Sequence, residues 1–441
     1  MNIAVVGAGW AGVAAAYQLS KDHQVTLFEA SRQVGGRARR VRNTPFGYPT
    51  DNGQHILLGA YDHTLKLMGE LGLDLHEAFH HLELSILSAE RTYQLKAWPL
   101  PAPLHLLGAI LSSRGFSLGD RYLLIRFNLQ LQRRRWQVEP QQTVLGLLKQ
   151  YHQSETLIEH LWQPLCLAAL NTPLDLACAQ LFANVLRDSL GAGRQSSQML
   201  IPKRDMSSLW LEPALKHVDL RLGQRVHTLR LDDERVIVND QIFDACIIAT
   251  PPYASAKLLR TLITPEPLAE TWIAGMEAVQ YRPIATVYLE PENPWAEMQP
   301  LLMLHENREQ HEFGQWLFNH HAMPDSFARS LIAVVISDAV ALNDLSRTEV
   351  IAAVEAQIRR QTTSRAPLPT IVRSELIIEK RATFEASPFS FRATEQTPWP
   401  NIYLAGDWLK NDYPGVLEGA VRSGLTSAAL VHKKCLSQHA R

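Results

Sequence analysis

The residues with the clearest chemical meaning lie at the start of the chain. Ile3–Val6 is an apolar run that predicts a strand, and Val13–Leu19 predicts a helix. Between them, Gly7, Gly9 and Gly12 have the spacing GxGxxG. In such a turn the first glycine permits the tight bend, the second lets the backbone approach a phosphate, and the third lets the helix pack closely on the strand. Because the first N–H groups of a helix are free, the turn predicts a binding site for a dinucleotide pyrophosphate.

Two further features after the glycines favour FAD as the dinucleotide. The predicted strand Gln24–Phe28 ends at Glu29, about 20 residues past the glycines, where a carboxylate accepts hydrogen bonds from the adenosine ribose. A second glycine pair, Gly35-Gly36, precedes Arg37, whose guanidinium can lie over the pyrophosphate. The negative charge of Glu29 disfavours a ligand with a phosphate on the ribose 2′ position. Most NAD dehydrogenases lack a second glycine pair such as Gly35-Gly36. The alternatives are a βαβ turn that binds nothing and, for Gly35-Gly36-Arg37, an ordinary polar turn.

Composition indicates an intracellular enzyme of two domains. The chain has 441 residues and a formal net charge of −1, so two domains are expected and no basic field is present to attract nucleic acid. Its four cysteines form no CxxC motif and have no spacing typical of a metal site, which predicts thiols in a reducing compartment and no metal. No signal-peptide pattern precedes the first strand. We therefore expect a cytoplasmic protein.

Two apolar segments could contact a membrane surface. Ala97–Leu111 is rich in leucine, but three prolines and its length make it unsuitable for spanning a bilayer. Asp120–Trp136 mixes apolar residues with Arg133-Arg134-Arg135. One interpretation places both segments in a membrane interface, and the other makes them helices packed within the protein with a solvated arginine cluster. The sequence does not separate the two.

A second candidate flavin segment lies near the C-terminus. Asn401–Asp407 predicts a strand that ends in Gly406-Asp407, and Gly415–Gly424 opens a helix of small and apolar residues. A carboxylate at a strand end can bind ribityl hydroxyls, and the N-terminus of the helix can stabilise negative charge on the pyrimidine edge of a flavin. The alternative is a strand–turn–helix that only closes the sheet.

The chain resembles the FAD-dependent amine oxidase and phytoene desaturase superfamily and, more narrowly, the hydroxysqualene dehydroxylases of hopanoid biosynthesis. The segments that carry the narrower resemblance are DNGQHILLGAY at Asp51–Tyr61, WQPLCLAALNTP at Trp162–Pro173, LAGDW at Leu404–Trp408 and EGAVRSG at Glu418–Gly424. The superfamily motifs are specific for FAD and only loosely for the reaction. The first two segments favour the dehydroxylases over their relatives.

The resemblance implies a set of cofactor-binding residues. They are Gly7, Gly9, Ala11, Gly12, Glu29, Ala30, Gly36, Arg37, Gly53, Gln54, His55, Val226, Gly406, Asp407, Val416 and Leu417. Within this set, Val226 holds the adenine by its backbone, Asp407 holds the ribityl chain, and Val416 with Leu417 contacts the flavin ring. Amine oxidases of the superfamily have an aromatic residue at the position of Val416. The aliphatic side chain disfavours amines and is compatible with a polyisoprene.

The reaction implied by the resemblance is reductive removal of the allylic hydroxyl of hydroxysqualene to give squalene. Such a reaction needs a proton donor near the flavin, and His55 is the candidate because histidine can donate near neutral pH. The alternative that His55 is a structural hydrogen-bonding residue and not the proton donor remains open. The role of Asp51 is also open. The chain shows no second nucleotide-binding motif and no redox CxxC, so we expect an external electron donor. The alternatives are an oxidative carotenoid-type desaturase and a non-catalytic prenyl-binding protein on the same fold.

The expected fold class is α/β, with a Rossmann-like FAD-binding domain of the GR2 type and a discontinuous substrate domain that combines a mixed sheet with helices. The motifs lie in three separated segments, which predicts an FAD-binding domain assembled from residues 1–76, 201–262 and 394–437. Residues 77–200 and 263–393 are then expected to form the substrate-binding domain. We predict the first of these two stretches to be mostly helical.

Overall fold

A computed structural model describes residues 1–262, 267–328 and 331–439 of the protein. The strands in chain order are β1 (Asn2–Val6), β2 (Gln24–Glu29), β3 (Arg40–Val41), β4 (Thr50–Asp51), β5 (Leu57–Leu58), β6 (Phe79–Leu82), β7 (Ser85–Leu87), β8 (Gln94–Lys96), β9 (Met199–Pro202), β10 (Asp219–Leu222), β11 (Leu229–Asp232), β12 (Arg235–Val238), β13 (Gln241–Phe243), β14 (Ala245–Ile248), β15 (Tyr281–Pro291), β16 (Leu301–Met303), β17 (Trp316–Asn319), β18 (Ile332–Ser337), β19 (Ile371–Phe384) and β20 (Ile402–Leu404).

The α-helices in chain order are α1 (Trp10–Ser20), α2 (Asp62–Glu70), α3 (Leu75–Ala78), α4 (Leu104–Leu111), α5 (Leu118–Arg133), α6 (Val144–Gln150), α7 (Glu155–Leu157), α8 (Gln163–Leu170), α9 (Ala179–Ser189), α10 (Glu212–Ala214), α11 (Pro252–Leu259), α12 (Pro267–Glu277), α13 (Arg347–Gln361) and α14 (Leu417–His439). A π-helical segment, Ile158–Trp162, joins α7 to α8. Within the described part of the chain, none of the helices is both long enough and apolar enough to cross a bilayer.

A parallel sheet positions the glycine turn. Its strand order is β10–β2–β1–β14–β20, and every neighbouring pair is parallel. Ile3–Val6 and Ala245–Ile248 are buried throughout, as expected for central strands of a sheet covered on both faces. The carboxyl ends of parallel strands meet at one edge of a sheet. The residues that follow β1, β2, β14 and β20 therefore come together there.

A second, antiparallel sheet lies in the other half of the molecule. Its order is β16–β17–β18–β15–β19, and the long pair β15–β19 runs from Tyr281↔Phe384 to Pro291↔Ile371. We predicted a mixed sheet here, but all four neighbouring pairs are antiparallel. Helix α13 contacts β19 and is stabilised at its start by a capping box between Ser346 and Glu349.

The segment between residues 77 and 200 contains more strand than expected. Helices α4 to α9 fill most of it, but β6, β7 and β8 come first and β9 ends it. β6 pairs with β9, and β7 pairs with β8 in a hairpin. These strands are too short to show a period of two in the sequence, which is why periodicity alone did not indicate them.

The predicted α/β fold class, with a Rossmann-like sheet beside a sheet-and-helix part, is confirmed by this architecture. The five strands of the parallel sheet come from all three segments assigned to the FAD-binding domain. The exact domain ranges remain a prediction. Their boundary after Leu262 adjoins residues 263–266, which lie outside the described residues.

Candidate functional site

The glycine turn between β1 and α1 brings backbone N–H groups to the wall of a cavity. Gly7 has a φ of +104°, and its N–H donates to the carbonyl oxygen of Phe28 at 2.7 Å. A Cβ at Gly12 would lie 1.9 Å from the carbonyl oxygen of Gly7, so only glycine allows this approach. At Gly9 a Cβ would meet nothing within 4 Å. The start of α1 therefore presents unobstructed backbone to the cavity, a suitable surface for an anion.

The second glycine pair packs directly against the first. Gly35 N donates to the carbonyl oxygen of Ala8 at 2.8 Å. A Cβ at Gly36 would lie 3.3 Å from the Cα of Gly9. Gly35 and Gly36 have φ values of +111° and +58°, which favour glycine. The two glycine-rich segments thus form one continuous wall.

Glu29 is held rigidly at the end of β2. Its Oε2 accepts the N–H of Ala8 at 2.7 Å, and its Oε1 accepts the N–H of Ser31 at 2.8 Å. Each carboxylate oxygen has a further lone pair available for another donor. Glu29, Ala30 and Val226 line the same cavity. This arrangement is the one expected if the adenosine part of FAD binds beside them.

Arg37 and Asp407 form an ion pair at another part of the cavity wall. Arg37 Nη2 donates to Asp407 Oδ1 at 2.6 Å, and Nη1 donates to the carbonyl oxygen of Ala382 at 2.9 Å. Burial lowers the pKa of Arg37, but the Asp407 carboxylate more than offsets this effect and holds the pKa above its ordinary value. Asp407 Oδ2 lies beside Gly415, where an added Cβ would be 3.4 Å away. The predicted phosphate-binding arginine and ribityl-binding aspartate therefore position each other.

The DNGQH segment begins at Asp51, the last residue of β4, and lies between the two sheets. Asn52 Oδ1 accepts the N–H of Arg39 at 3.0 Å and lies 3.3 Å from His55 Nε2. Gln54 Oε1 lies 2.8 Å from the Nε2 atom of the buried His320. These contacts fix the side chains of Asn52, Gln54 and His55, all of which line the cavity.

The titratable groups of this segment are strongly affected by burial. Asp51 accepts the N–H of Met206 at 3.1 Å, yet burial raises its pKa well above the ordinary value. Asp51 does not line the cavity. Burial, together with the nearby charge of Arg39, lowers the pKa of His55 to about 4. The His55 ring is therefore neutral at pH 7, which favours the hydrogen-bonding role over that of a cationic acid.

One cavity of about 1150 Å³ connects these features to a set of apolar side chains. The apolar wall comes from β7, α8, α9 and the antiparallel sheet. It includes Leu84, Ile86, Leu165, Ala168, Ala169, Phe182, Val185, Leu186, Leu301, Trp316, Phe318 and Val335. A ligand can thus extend from the glycine-rich wall into a hydrocarbon-lined space without leaving the cavity.

Comparison with known proteins identifies the family. Residues 10–432 match the family model described as flavin containing amine oxidoreductase. The chain belongs to this family. It is 30% identical to the hydroxysqualene dehydroxylase of Rhodopseudomonas palustris, with 98% of each chain covered. It is 27% identical to that of Sinorhizobium fredii, with 97% of this chain and 98% of the relative covered. The chain is thus an FAD-dependent oxidoreductase similar to the hydroxysqualene dehydroxylases, as its sequence motifs indicated.

Solved structures of flavin amine oxidoreductases have the same fold. Putrescine oxidase bound to putrescine superposes with a TM-score of 0.71 at 18% identity, covering 98% of this chain and 99% of the other. Cyclohexylamine oxidase from Brevibacterium oxydans gives the same TM-score at 16% identity, with the same coverage. A more distant relative in sequence is the zeta-carotene desaturase of Capsicum annuum, 20% identical with 98% of this chain and 81% of the relative covered.

The residues of this flavin amine oxidoreductase fit FAD. The open backbone at Gly9, the fixed carboxylate of Glu29 and the Arg37–Asp407 pair all face one cavity. Of the predicted cofactor residues, Gly12 acts in packing α1 on β1, and the others line the cavity: Gly7, Gly9, Ala11, Glu29, Ala30, Gly36, Arg37, Gly53, Gln54, His55, Val226, Gly406, Asp407, Val416 and Leu417. Their individual contacts with FAD remain predictions.

Sequence reasoning missed the polar side chains that face the DNGQH segment from the antiparallel sheet. A Cβ at Gly53 would lie 3.5 Å from Thr286 Oγ1 and 3.7 Å from His55 Nε2. Thr286 lies in β15, and Ser337 at the end of β18 also lines the cavity. A threonine and a serine in β-strands carry no distinguishing sequence signal. Only the packing of the two halves brings them to the site.

Proposed function

We propose that this FAD-dependent oxidoreductase removes the allylic hydroxyl of hydroxysqualene reductively and forms squalene, a step of hopanoid or triterpenoid biosynthesis. The observation that carries the proposal is the single cavity in which the predicted flavin-binding wall continues into apolar side chains. A polyisoprene offers almost no hydrogen bonds, so its affinity must come from burial of hydrocarbon, at about 0.8 kcal/mol per CH₂ group. The names of two relatives that match along nearly the whole chain support the same substrate.

The aliphatic residue Val416 supports an isoprenoid rather than an amine substrate. It precedes α14 and lines the cavity together with Leu417. An aromatic residue at this position would provide a face to which a substrate cation could bind. Valine provides only apolar surface, which suits a hydrocarbon chain.

The proposed reaction breaks one C–O bond and forms one C–H bond. Reduced FAD, when bound, supplies the two electrons and the hydride for the allylic carbon. The departing hydroxyl takes up a proton and leaves as water. The apolar wall that includes Ile86, Leu165 and Phe318 would keep other water away from the electron-poor allylic carbon. The electrons come from an external protein or a free carrier.

The polar part of the cavity could supply hydrogen bonds to a departing hydroxyl. Gly53, His55 and Thr286 are neighbours in this region. The neutral His55 ring can donate one N–H, and the Thr286 hydroxyl can donate as well. We propose that these groups donate hydrogen bonds that orient the substrate hydroxyl, while the proton that it takes up comes from solvent. Glycine at position 53 leaves space beside them.

We also propose that the enzyme works at the cytoplasmic face of the membrane. Helices α4 and α5 contact each other and expose the large apolar residues Leu104, Leu107, Leu111, Leu118, Tyr122 and Leu129. The segment before α4 adjoins the cavity wall, since the N–H of Ala97 donates to the carbonyl oxygen of Leu84 at 2.9 Å. Arg133, Arg134 and Arg135 are exposed at the end of α5. A water-insoluble substrate would thus be supplied next to the cavity.

Product analysis tests the proposed reaction directly. The reduced enzyme is incubated with hydroxysqualene, the oxidised enzyme with phytoene, and both products are identified by mass spectrometry. We expect squalene from the first reaction and unchanged phytoene from the second. Desaturated phytoene without squalene would support an oxidative desaturase instead. Binding of both compounds without turnover would support a non-catalytic prenyl-binding protein.

A further inference from the structure

Outside the main cavity, the fold brings a carboxylate and two imidazoles together from distant parts of the chain. Glu159 and His160 lie in the π-helical segment, and His305 follows β16. Glu159 Oε1 lies 3.6 Å from His305 Nε2, and Glu159 Oε2 lies 3.9 Å from His160 Nε2. One ligand atom from each of the three residues lies within 4.8 Å of the other two.

We propose that Glu159, His160 and His305 bind a divalent transition-metal ion of the Zn²⁺ type. Two imidazole nitrogens and one carboxylate oxygen suit Zn²⁺, whereas Mg²⁺ prefers an all-oxygen site. A tetrahedral ion with bonds of about 2.0–2.1 Å holds its ligand atoms roughly 3.4 Å apart. In the cluster one ligand atom from each residue lies within 4.8 Å of the other two, so side-chain rotations that bring these atoms closer together would close the site. Water would complete the coordination.

The π-helical turn explains how two adjacent residues can act together. In a regular α-helix, neighbouring residues do not face each other. The wider turn over Ile158–Trp162 changes the angle between successive side chains, and π-bulges of this kind are frequent at functional sites. The ring of His160 is further held by stacking on Tyr93, with ring centroids 4.1 Å apart and an interplanar angle of 20°.

His305 is positioned by two buried glutamines of α13. Its N–H donates to Gln361 Oε1 at 2.8 Å. Its carbonyl oxygen accepts from Gln357 Nε2 at 2.8 Å and from Gln361 Nε2 at 2.7 Å. The backbone of His305 is thus fixed without using the imidazole ring. The ring remains available at the edge of a second cavity of about 250 Å³, which the side chains of Glu90 and Glu306 also line.

A bound ion would connect two walls of the main cavity. Leu165 lies on α8, which continues directly from the π-helical segment, and Leu301 lies at the start of β16. Both side chains line the main cavity. An ion held by His160 and His305 would restrain these walls relative to each other. The inference does not depend on the identity of the isoprenoid substrate.

The test uses the full-length enzyme with FAD bound, first treated with a chelator. Zn²⁺ is titrated calorimetrically into the wild type, H160A, H305A and, as a control, H217A, which removes an exposed imidazole elsewhere. We expect one site in the wild type and in H217A, and binding at least about tenfold weaker in H160A and H305A. Mg²⁺ should not bind to this site. Zn²⁺ should raise the Tm of the wild type and H217A and leave that of the two variants unchanged.

The flavin absorbance spectrum shows whether each variant is folded, so loss of binding is not confused with misfolding. Absence of Zn²⁺ binding in the wild type would overturn the proposal. Wild-type affinity in both folded variants, H160A and H305A, would also overturn it, because the ion would then bind elsewhere.

Discussion

Single carboxylates fix two ends of the predicted flavin site, and their partners differ. Glu29 accepts backbone N–H groups of Ala8 and Ser31, while Asp407 pairs with Arg37. We expect E29A and D407A each to weaken FAD binding by about 1–3 kcal/mol, because each loses hydrogen bonds to a buried partner. Flavin occupancy after gel filtration measures the loss.

Acid precipitation of the wild type should release the flavin, since we predict no covalent bond.

Conservative variants separate loss of FAD contacts from loss of local structure. E29Q keeps the shape and the hydrogen-bonding oxygen of Glu29, so it should retain more FAD than E29A. D407N keeps the shape of Asp407 but leaves Arg37 without its counter-charge. D240A serves as a control, because Asp240 forms an exposed ion pair with Arg230. Wild-type occupancy in both E29A and D407A would remove the two residues from the site.

The protonation state of His55 predicts the pH dependence of activity. Since the pKa of His55 is lowered to about 4, the ring stays neutral from about pH 5 upward. We therefore expect kcat/KM to show no inflection near pH 6.5 from this residue, and H55Q to retain the shape of the wild-type profile at a lower rate. An inflection near pH 6.5 that disappears in H55Q would show instead that His55 acts as a cationic acid.

The buried His320 predicts that the unfolding free energy of the protein decreases at acid pH. Burial lowers the pKa of His320 to about 3, so this ring is neutral in the folded protein and becomes protonated on unfolding below about pH 6.5. Its stabilising contribution is complete above pH 6.5 and decreases as the pH falls towards 3. One such group makes the unfolding free energy rise by about 1.4 kcal/mol per pH unit in this interval. Asp51, whose pKa is raised, contributes with the opposite sign.

The H320Q variant isolates this contribution. Urea unfolding is followed at several values between pH 5 and pH 6.5 for the wild type and the variant. We expect the slope of unfolding free energy against pH to be smaller in H320Q, by about one proton at pH 5 and by about half a proton at pH 6.5. Equal slopes would show that His320 has an ordinary pKa in the folded protein.

At the scale of elements, α4 and α5 are apolar on their exposed faces as well as on their buried ones. Leu118, Tyr122 and Leu129 follow a spacing of four and seven residues, which places them on one face of α5, and Leu118 is 82% exposed. Leu124 and Phe127 are buried on the opposite face. Large apolar side chains grouped on one exposed face are typical of a surface that contacts a partner or a membrane. The structure therefore supplies an argument for membrane contact that the sequence left open.

Liposome flotation tests this surface. We expect the wild type to float with anionic vesicles at low salt and less at high salt. Replacing Arg133, Arg134 and Arg135 by Ala should weaken binding by about 1 kcal/mol for each arginine near the surface. L118S/Y122S/L129S should weaken it at both salt concentrations, while V372S, at an exposed valine of β19, should not. Activity with detergent-dispersed substrate controls for folding. No flotation of the wild type would contradict the membrane proposal and leave the flavin chemistry intact.

Elements with strong local signals were predictable, and those that depend on distant pairing were not. The glycine turn and its flanking apolar runs specify β1 and α1 locally, and the predicted Val13–Leu19 lies within Trp10–Ser20. By contrast, β6 exists because it pairs with β9, more than a hundred residues later. A four-residue strand has too little periodicity of its own to be recognised.

At the scale of the whole molecule, the sequence motifs indicated residues that line one cavity but not the contacts between them. The motifs around Arg37 and Asp407 each indicated a flavin contact, but their ion pair joins residues 370 positions apart in the chain. The approach of Thr286 to Gly53, and the cluster of Glu159, His160 and His305, likewise form only when the antiparallel sheet packs against the rest of the chain. Such contacts depend on tertiary packing, about which a single sequence gives little information.

The three separated segments predict that the C-terminal part is essential for flavin binding. A chain ending after Phe391 lacks β20, which pairs with β14, and α14, which packs against α1. It also lacks Glu418, whose buried carboxylate accepts the N–H of Thr64 at 3.0 Å at the start of α2. We expect the truncated chain to bind no FAD, as measured by absorbance after gel filtration.

A full-length variant makes this prediction independent of gross misfolding. A Cβ at Gly424 would lie 2.2 Å from the carbonyl oxygen of Ala11, so G424V must displace α14 from the start of α1 while every strand is retained. Because Val416 and Leu417 lead into α14, this displacement should lower FAD occupancy even where circular dichroism shows a folded protein. G69A is the matched control, since a Cβ at Gly69 in α2 meets nothing within 4 Å. Stoichiometric FAD in a folded chain ending after Phe391 would contradict the three-segment assignment, because the first two segments would then suffice for the site.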